Sequence, residues 1–386
     1  MSWEKVTLGE ISQNIQTGPF GSQLHQSDYS EMGIPVVMPK DLIVGRISEA
    51  SIARVDVSHV ERLSRHKIKN GDILYSRRGD VGRCAFVTEV EKGWLCGTGC
   101  LRVTVDPKVA DPKFVFFQLQ KSETVGWVEN HAVGSTMLNL NTSILSSVPL
   151  NIPPLAIQRQ IASILSTYDA LIENNQKQIK LLEEAAQRLY KEWFVDLHFP
   201  GYENAKIVDG VPEGWKSGVL GDIAEFKRGK TITKGQVQKG KVPVVAGGLE
   251  PAYYHNIPNT EKPVITVSGS GANAGFTKMY HTKIFASDCS FVDKRETDYL
   301  EYVYCFLQHN SAALDSLQKG AAQPHVYAKD INALEVCIPY EKLLHKFCSI
   351  TKVFFEKIGI LQNQLIALSE ARDRLLPKLM DGEIEV

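Results

Sequence analysis

No stretch of this 386-residue sequence reaches the run of about 18 apolar residues that a membrane-spanning helix takes. Its opening, MSWEKVTLGEISQ, lacks the basic-then-apolar layout of a signal peptide. Cysteine is sparse and unpatterned: the seven residues, at 84, 96, 100, 289, 305, 337 and 348, include no CxxC pair. Cys96 and Cys100 stand closest, and a single CxxxC without a second pair is a weak zinc signal. Buried reduced thiols and a cytoplasmic setting are expected. An excess of positive charge is also missing. The net charge is −1, which by itself argues against a chain that binds nucleic acid through its bulk charge.

Catalytic signatures are equally scarce. FKRGKT, from Phe226 to Thr231, looks like the tail of a phosphate-binding loop. That motif requires glycine five places before Gly229, where the chain has Ala224. SGSGANAG, from Ser268 to Gly275, is glycine-rich but lacks the dinucleotide-binding spacing. HExxH, GxSxG and paired His–Cys clusters are absent. His25, His59, His66, His131, His255, His281 and His325 are scattered, as surface or hydrogen-bonding residues would be. Catalysis by this chain alone is not expected, and no metal ligand or cofactor is assigned to it.

Internal repetition is what the chain has in quantity. WEKVTLGEI (Trp3 to Ile11) matches WKSGVLGDI (Trp215 to Ile223), an offset of 212. GDILYSRRGDVG and KPVITVSGSGANAG each read as a strand followed by a glycine-rich turn. DPKFVFFQLQ and LEYVYCFLQH both read as helices. From Gly134 and Gly320 onward the offset is fixed at 186, so the second globular part is 26 residues shorter. The halves share a frame and differ inside it.

Each half ends in a long helix with a seven-residue stripe. The first runs Ile161, Leu165, Tyr168, Ile172, Asn175, Ile179, Leu182, Ala186, Leu189, Trp193. The second runs Phe347, Thr351, Phe354, Ile358, Leu361, Leu365, Leu368, Arg372, Leu375, Leu379. Such a stripe is the seam of a coiled coil, with a core helix of a bundle as the plainer alternative. Asn175 would fix register, Thr351 and Arg372 are lapses that could face another subunit, and Pro377 should end or kink the second helix. Some 36–40 helical residues span roughly 55–60 Å. The second helix can pair with the first only by running back. The fold expected is α+β: two globular mixed α/β domains separated by a long antiparallel two-helix coiled coil, with an internal pseudo-twofold repeat. The boundaries are 1–152 and 215–338 for the globular domains, and 153–197 and 339–386 for the helical parts. The Gly- and Pro-containing linker 198–214 marks the turn-round.

Charge is local rather than global. Between Arg62 and Arg83, and again between Lys216 and Lys241, seven basic residues face two acidic ones. Two such clusters in comparable halves suit surfaces that track phosphates, although either alone could be a solvated face. Polar loops lie near them: TGPFGSQLHQSDYS (Thr17 to Ser30), HAVGSTMLNLNTS (His131 to Ser143) and GAAQPHVYAKD (Gly320 to Asp330). Such loops can hold phosphates or read base edges, and their composition also describes any surface loop. The candidate DNA-binding set is Ser22, Gln23, Lys40, Arg46, Arg65, Lys67, Arg77, Arg78 and Arg83 in the first half. In the second half it is Lys227, Arg228, Lys230, Lys234, Ser268, Ser270, Asn273, Gln323 and His325.

Taken together, IPPLAIQRQIASIL, LYKEWFVDLHFPGYE, VPEGWKSGVLGDIAEFKRGKT, RLLPKLMDGEIEV, GPFGSQL and GDILYSRRGDVGR cover the whole chain in order. On these the sequence resembles the specificity subunits of type I restriction-modification enzymes, the HsdS family. It departs at Ile157, where glutamate is more usual before Gln158, and YEKLLHKF in the second half lacks that glutamine. The resemblance implies two target recognition domains, each reading half of a split DNA sequence, and helices that set the gap. It implies docking of two methyltransferase subunits and of restriction-translocase subunits, with Gln158, Trp193, Phe194 and Arg372 as candidate docking residues. S-adenosylmethionine, ATP and Mg²⁺ would belong to those partners. The rival readings are a coiled-coil protein–protein adaptor without DNA recognition and an enzyme with an unfamiliar site.

Overall fold

The computed structural model describes residues 3–43, 45–134, 137–208, 210–319 and 324–386. Two compact units make up the chain: unit 1 is 1–171 with 368–386, and unit 2 is 172–367.

Unit 1 opens with β1 (Glu4–Thr7) and β2 (Ser12–Thr17). There follow β3 (Tyr29–Ser30), β4 (Ile34–Val37), β5 (Ala53–Val55), β6 (Ile73–Ser76), β7 (Cys84–Phe86), β8 (Leu95–Cys96) and β9 (Cys100–Val105). Helices α1 (Pro112–Leu119) and α2 (Ser122–His131) precede β10 (Pro149–Ile152), which leads into the long helix α3 (Leu155–Tyr190). One antiparallel sheet has the order β2-β9-β6-β7, and β1 pairs antiparallel with β10. A second sheet has the order β8-β4-β5-β3, in which β8 and β4 are parallel. Strand β6 (ILYS) is buried at every residue and β9 (CLRVTV) at all but one, so they read as apolar runs rather than alternations. Helix α1 starts where Asp111 accepts hydrogen bonds from the Lys113 and Phe114 amides, both 3.0 Å, with Pro112 in the first turn. Its phenylalanines 114 and 117 join Leu8, Tyr75, Leu165, Leu379 and Met380 in the core of unit 1.

Unit 2 contains β11 (Lys216–Val219), β12 (Lys227–Arg228), β13 (Val242–Val245), β14 (Tyr253–His255), β15 (Val264–Ser268), β16 (Thr277–Tyr280), β17 (Phe285–Ala286) and β18 (Cys289–Asp293). Helix α4 (Leu300–His309) and strand β19 (Glu335–Ile338) precede the second long helix, α5 (Glu341–Met380). The sheets are ordered β12-β18-β15-β16 and β14-β13-β17, with β13 and β17 parallel, and β11 pairs antiparallel with β19. Strand for strand, β12-β18-β15-β16 stands where β2-β9-β6-β7 stands in unit 1. The core of unit 2 is aromatic. Phe194 lies 4.9 Å from Tyr302 and 5.0 Å from Phe347 (ring centroids), and Trp193 lies 5.8 Å from Phe347.

None of the stripe positions on either long helix is exposed. In unit 1 Arg372 bonds Asp169 at 3.1 Å, and in unit 2 the Asn175 amide donates to Gln364 Oε1 at 3.2 Å. Both pairs run antiparallel in sequence. Thr351 is fully buried and its hydroxyl donates to the Phe347 carbonyl one turn back at 3.0 Å, so this lapse in the stripe faces no other subunit. Pro377 does not end α5, which continues to Met380. So close to the terminus a missing N–H costs one bond, and the Pro377 carbonyl still accepts from the Asp381 amide at 2.9 Å. Within the linker, Phe199 is buried and its ring packs 5.4 Å from Trp215.

Candidate nucleic-acid interface

In unit 1 four turns meet beyond the end of the β2-β9-β6-β7 sheet. Gly18 N–H donates to the Cys100 carbonyl (2.9 Å), Arg77 N–H to the Gly99 carbonyl (2.8 Å), Gly79 N–H to the Leu138 carbonyl (3.1 Å), and Leu140 N–H to the Arg77 carbonyl (2.8 Å). Glycine is required at the crossing: a Cβ on Gly18 would lie 2.0 Å from the Gly97 carbonyl oxygen. This junction brings Ser22, Gln23, Arg77 and Arg78 together. Ser22 and Arg78 are exposed, and Gln23 Oε1 accepts from the Phe20 amide at 3.2 Å.

The remaining basic candidates of unit 1 stand elsewhere or are engaged. Exposed Arg65 donates from Nε to His66 at 3.0 Å, and the Lys67 carbonyl accepts from the Arg102 guanidinium. Arg83 pairs with Asp80 at 2.5 Å. Lys40 Nζ donates to the Ser51 carbonyl at 2.8 Å, and Arg46 to the Asp169 carbonyl on α3 at 3.1 Å. Beneath the cluster, burial raises the Asp72 carboxyl above its ordinary range despite a 2.6 Å bond from Thr104 and the neighbouring Arg102. Burial also pushes the His66 imidazole down to about 4, helped by Arg65 and Arg102.

Unit 2 builds its junction from the corresponding turns. Gly229 N–H donates to the Cys289 carbonyl (2.8 Å), Gly271 N–H to the Pro324 carbonyl (3.0 Å), and Val326 N–H to the Gly269 carbonyl (3.1 Å). Arg78 forms a bridge with Asn139 in unit 1, and Ser270 with His325 in unit 2. Ser270 donates to the Asp288 carboxylate, Asn273 to the Gly247 carbonyl at 3.5 Å, and His325 lies 6.0 Å from the Tyr327 ring at 14°. Arg228, Lys230 and Lys234 are exposed. Lys227 is exposed too but salt-bridged to Glu296 at 2.6 Å, a hydrogen bond that raises its pKa. Gln323 lies outside the described residues.

Several expectations need correction. Ser268 is buried and its hydroxyl donates to the Gly247 carbonyl at 3.1 Å, because β15 carries it under the turn. It presents nothing to a ligand. Gln158 is 1% exposed: its Oε1 accepts from the Asp111 amide at 2.9 Å and its Nε2 donates to the Pro153 carbonyl at 2.8 Å. Trp193 and Phe194 are spent in the unit 2 core, and Arg372 is held by Asp169 and Asp373. Buried in this way, Gln158 and Trp193 offer no docking surface, while Phe194 is partly buried against Tyr302 and Phe347. Sequence reading also overlooked Asp288, Phe20 and Asn139, whose place at the junctions is signalled only by the glycines around them. Of the cysteines, all seven are free and only Cys337 is not fully buried. Among the described residues no group of His, Cys, Asp or Glu could hold a metal ion, and no helix is long and apolar enough to cross a membrane.

The type I restriction modification DNA specificity domain matches residues 1–184 and 212–370, and the chain belongs to that family. It is 27% identical over 389 residues to the type I restriction enzyme MjaIX specificity subunit of Methanocaldococcus jannaschii, covering 92% of this chain and 87% of that one. To the HindI specificity subunit of Haemophilus influenzae it is 24% identical over 473 residues, 99% of each chain. The crystal structure of a type I restriction-modification S subunit from M. genitalium shares the fold, with a TM-score of 0.67 at 19% identity over 98% of this chain and 96% of that one.

Proposed function

We propose that this chain is the DNA-recognition subunit of a type I restriction-modification complex, reading a bipartite target with one loop junction per unit. The observation that carries this reading is the recurrence of one junction on one strand order with different side chains. Arg77, Arg78 and Asn139 occupy it in unit 1, and Ser270, Asp288 and His325 in unit 2. A shared scaffold with divergent tips suits two readers of different sequences. Phosphates would be held by the exposed cations Arg65, Arg78, Arg228, Lys230 and Lys234, and bases read by Ser22, Gln23, Ser270, Asn273 and His325.

The long helices act, in this proposal, as an antiparallel coiled-coil spacer that fixes the gap between half-sites. They also dock the methyltransferase and restriction subunits. Docking falls to residues such as Leu181, Val353, Ile360 and Ile366, which are apolar and exposed. The chain would perform no chemistry itself; S-adenosylmethionine, ATP and Mg²⁺ would be held by its partners. The test is the methylome of a host carrying the intact system, repeated after Trp3–Asn151 is replaced by the matching segment of a relative. One half-site should change and the other persist. A change in both would show that the units are not independent readers, and a chain that shifts no DNA even with its methyltransferase partner would favour a protein–protein adaptor.

A further inference from the structure

Phe20 stands at the tip of the turn after β2 with 53% of its surface exposed, although large aromatic side chains are ordinarily covered. The turn holds it there. Gln23 N–H and Leu24 N–H donate to the Phe20 carbonyl at 2.8 and 3.3 Å, Gln23 Oε1 accepts from the Phe20 N–H, and Leu24 is buried as the anchor. At the base, Gly18 rests on the Gly97 carbonyl. The Arg77 guanidinium lies 5.9 Å from the ring centroid, a cation–π contact that steadies the ring and sets positive charge beside it.

At the same junction, hydrogen-bonding capacity is unfilled. Among the described residues, Arg77 Nε, Thr98 Oγ1 and Asn139 Oδ1 are buried and have no hydrogen-bond partner. They are neighbours, because Arg77 bonds Gly99 next to Thr98, and Leu140, next to Asn139, bonds Arg77. Buried polar groups nearly always have partners, so three orphans at one junction point to a surface completed by a ligand. An apolar docking face would continue beyond the phenyl ring. Here its neighbours in the turn are Gly21, Ser22 and Gln23, with Arg77 over the ring. A displayed apolar tip in a cationic, polar setting matches the duplex major groove, where the thymine C5-methyl is the apolar feature among phosphates and base-edge polar groups.

We propose that Phe20 is a specificity-determining residue of unit 1 that packs on a thymine methyl group in the half-site read by that unit, with Arg77 positioning its ring. This rests on the DNA-reading function above. The test uses the complex with its methyltransferase subunits, as wild type, Phe20→Ala, Phe20→Leu and Arg77→Gln. The methylated motif is determined for each. Binding is measured on duplexes in which uracil replaces thymine at one half-site position at a time. Wild type is expected to lose about fourfold in affinity at one position, the worth of one buried methyl. Phe20→Ala should be indifferent to that replacement and should methylate sites with other bases there. Phe20→Leu should keep part of the discrimination, and Arg77→Gln should weaken it at that position without changing preference at others. The half-site read by unit 2 reports on folding and assembly and should be unaltered. An unchanged motif in Phe20→Ala, or uracil tolerated at every position by wild type, overturns the proposal. A wild-type complex that methylates no defined sequence would instead overturn the function on which it rests.

Discussion

Gln158 separates a structural role from a docking role most sharply. Its two hydrogen bonds tie the first turn of α3 to the amide that precedes α1 and to the Pro153 carbonyl. Gln158→Ala strands both backbone groups. Each unfilled buried group costs about 1–3 kcal/mol, so a loss of about 3 kcal/mol follows for unit 1. At about 2–4 °C per kcal/mol for a unit of this size, the melting transition should fall by about 6–12 °C. Gln158→Met nearly preserves volume while removing both bonds, and should lose most of the same amount if the bonds rather than a cavity dominate. Thermal unfolding followed by circular dichroism measures the change. Assembly with the methyltransferase subunit is then assayed well below the transition, beside the exposed neighbour variant Arg159→Ala. Assembly should persist in every variant. An unchanged melting temperature together with lost assembly would refute this account and return Gln158 to the partner interface.

Acid should destabilise both units in the same window. Burial holds His66 and His281 at about 4 against an ordinary value of 6.5. The unfolded chain then binds more protons between those values, and stability falls as pH drops from about 6.5 to about 4. The slope is about 1.4 kcal/mol per pH unit for each histidine; His281→Phe should flatten it for unit 2, as a melting series against pH would show. For DNA binding, Arg78→Gln and Arg228→Gln should each reduce the slope of log affinity against log salt by about 0.9, and Lys227→Gln by less because Glu296 already engages it. Slopes unchanged from wild type in all three variants would remove these residues from the phosphate contacts. Deleting Ile172–Gln178 with Ile358–Gln364 keeps the stripes in phase and shortens each helix by about 10.5 Å. That equals about three base pairs at about 3.4 Å each, so the methylated motif should acquire a shorter gap; methylation confined to the original gap would show that the helices do not set it.

Much of the frame was legible because its signals are local. The tryptophan-to-isoleucine repeats fall on β1 and β11 and the turns after them, DPKFVFFQLQ and LEYVYCFLQH on α1 and α4, and the stripes on covered faces of α3 and α5. Asp111 followed by Pro112 announces a helix start by chemistry within a few residues. The site was less legible because it depends on which distant backbone meets which side chain. Ser268 reads like Ser270, yet Ser268 ends β15 with its hydroxyl buried while Ser270, two residues beyond the strand, stands at the junction. Gln158 resembles a surface glutamine until the Asp111 amide, 47 residues earlier, closes over it. Thr351 breaks the apolar stripe by composition but not by burial, since its hydroxyl is satisfied within its own helix.

Unit 1 is completed by residues from the end of the sequence: Leu379 and Met380 are in its core, and the Gln118 amide donates to the Met380 carbonyl at 3.3 Å. Every residue of unit 2 is synthesised between its two pieces. At about 5–20 residues per second, the earlier piece waits on the order of 10–40 s for the later one. Through that interval its apolar surface stays uncovered while the residues of unit 2 are made. The first-begun unit is then the last to have all its residues, and nascent chains should be most open to proteases and chaperones in their amino-terminal half.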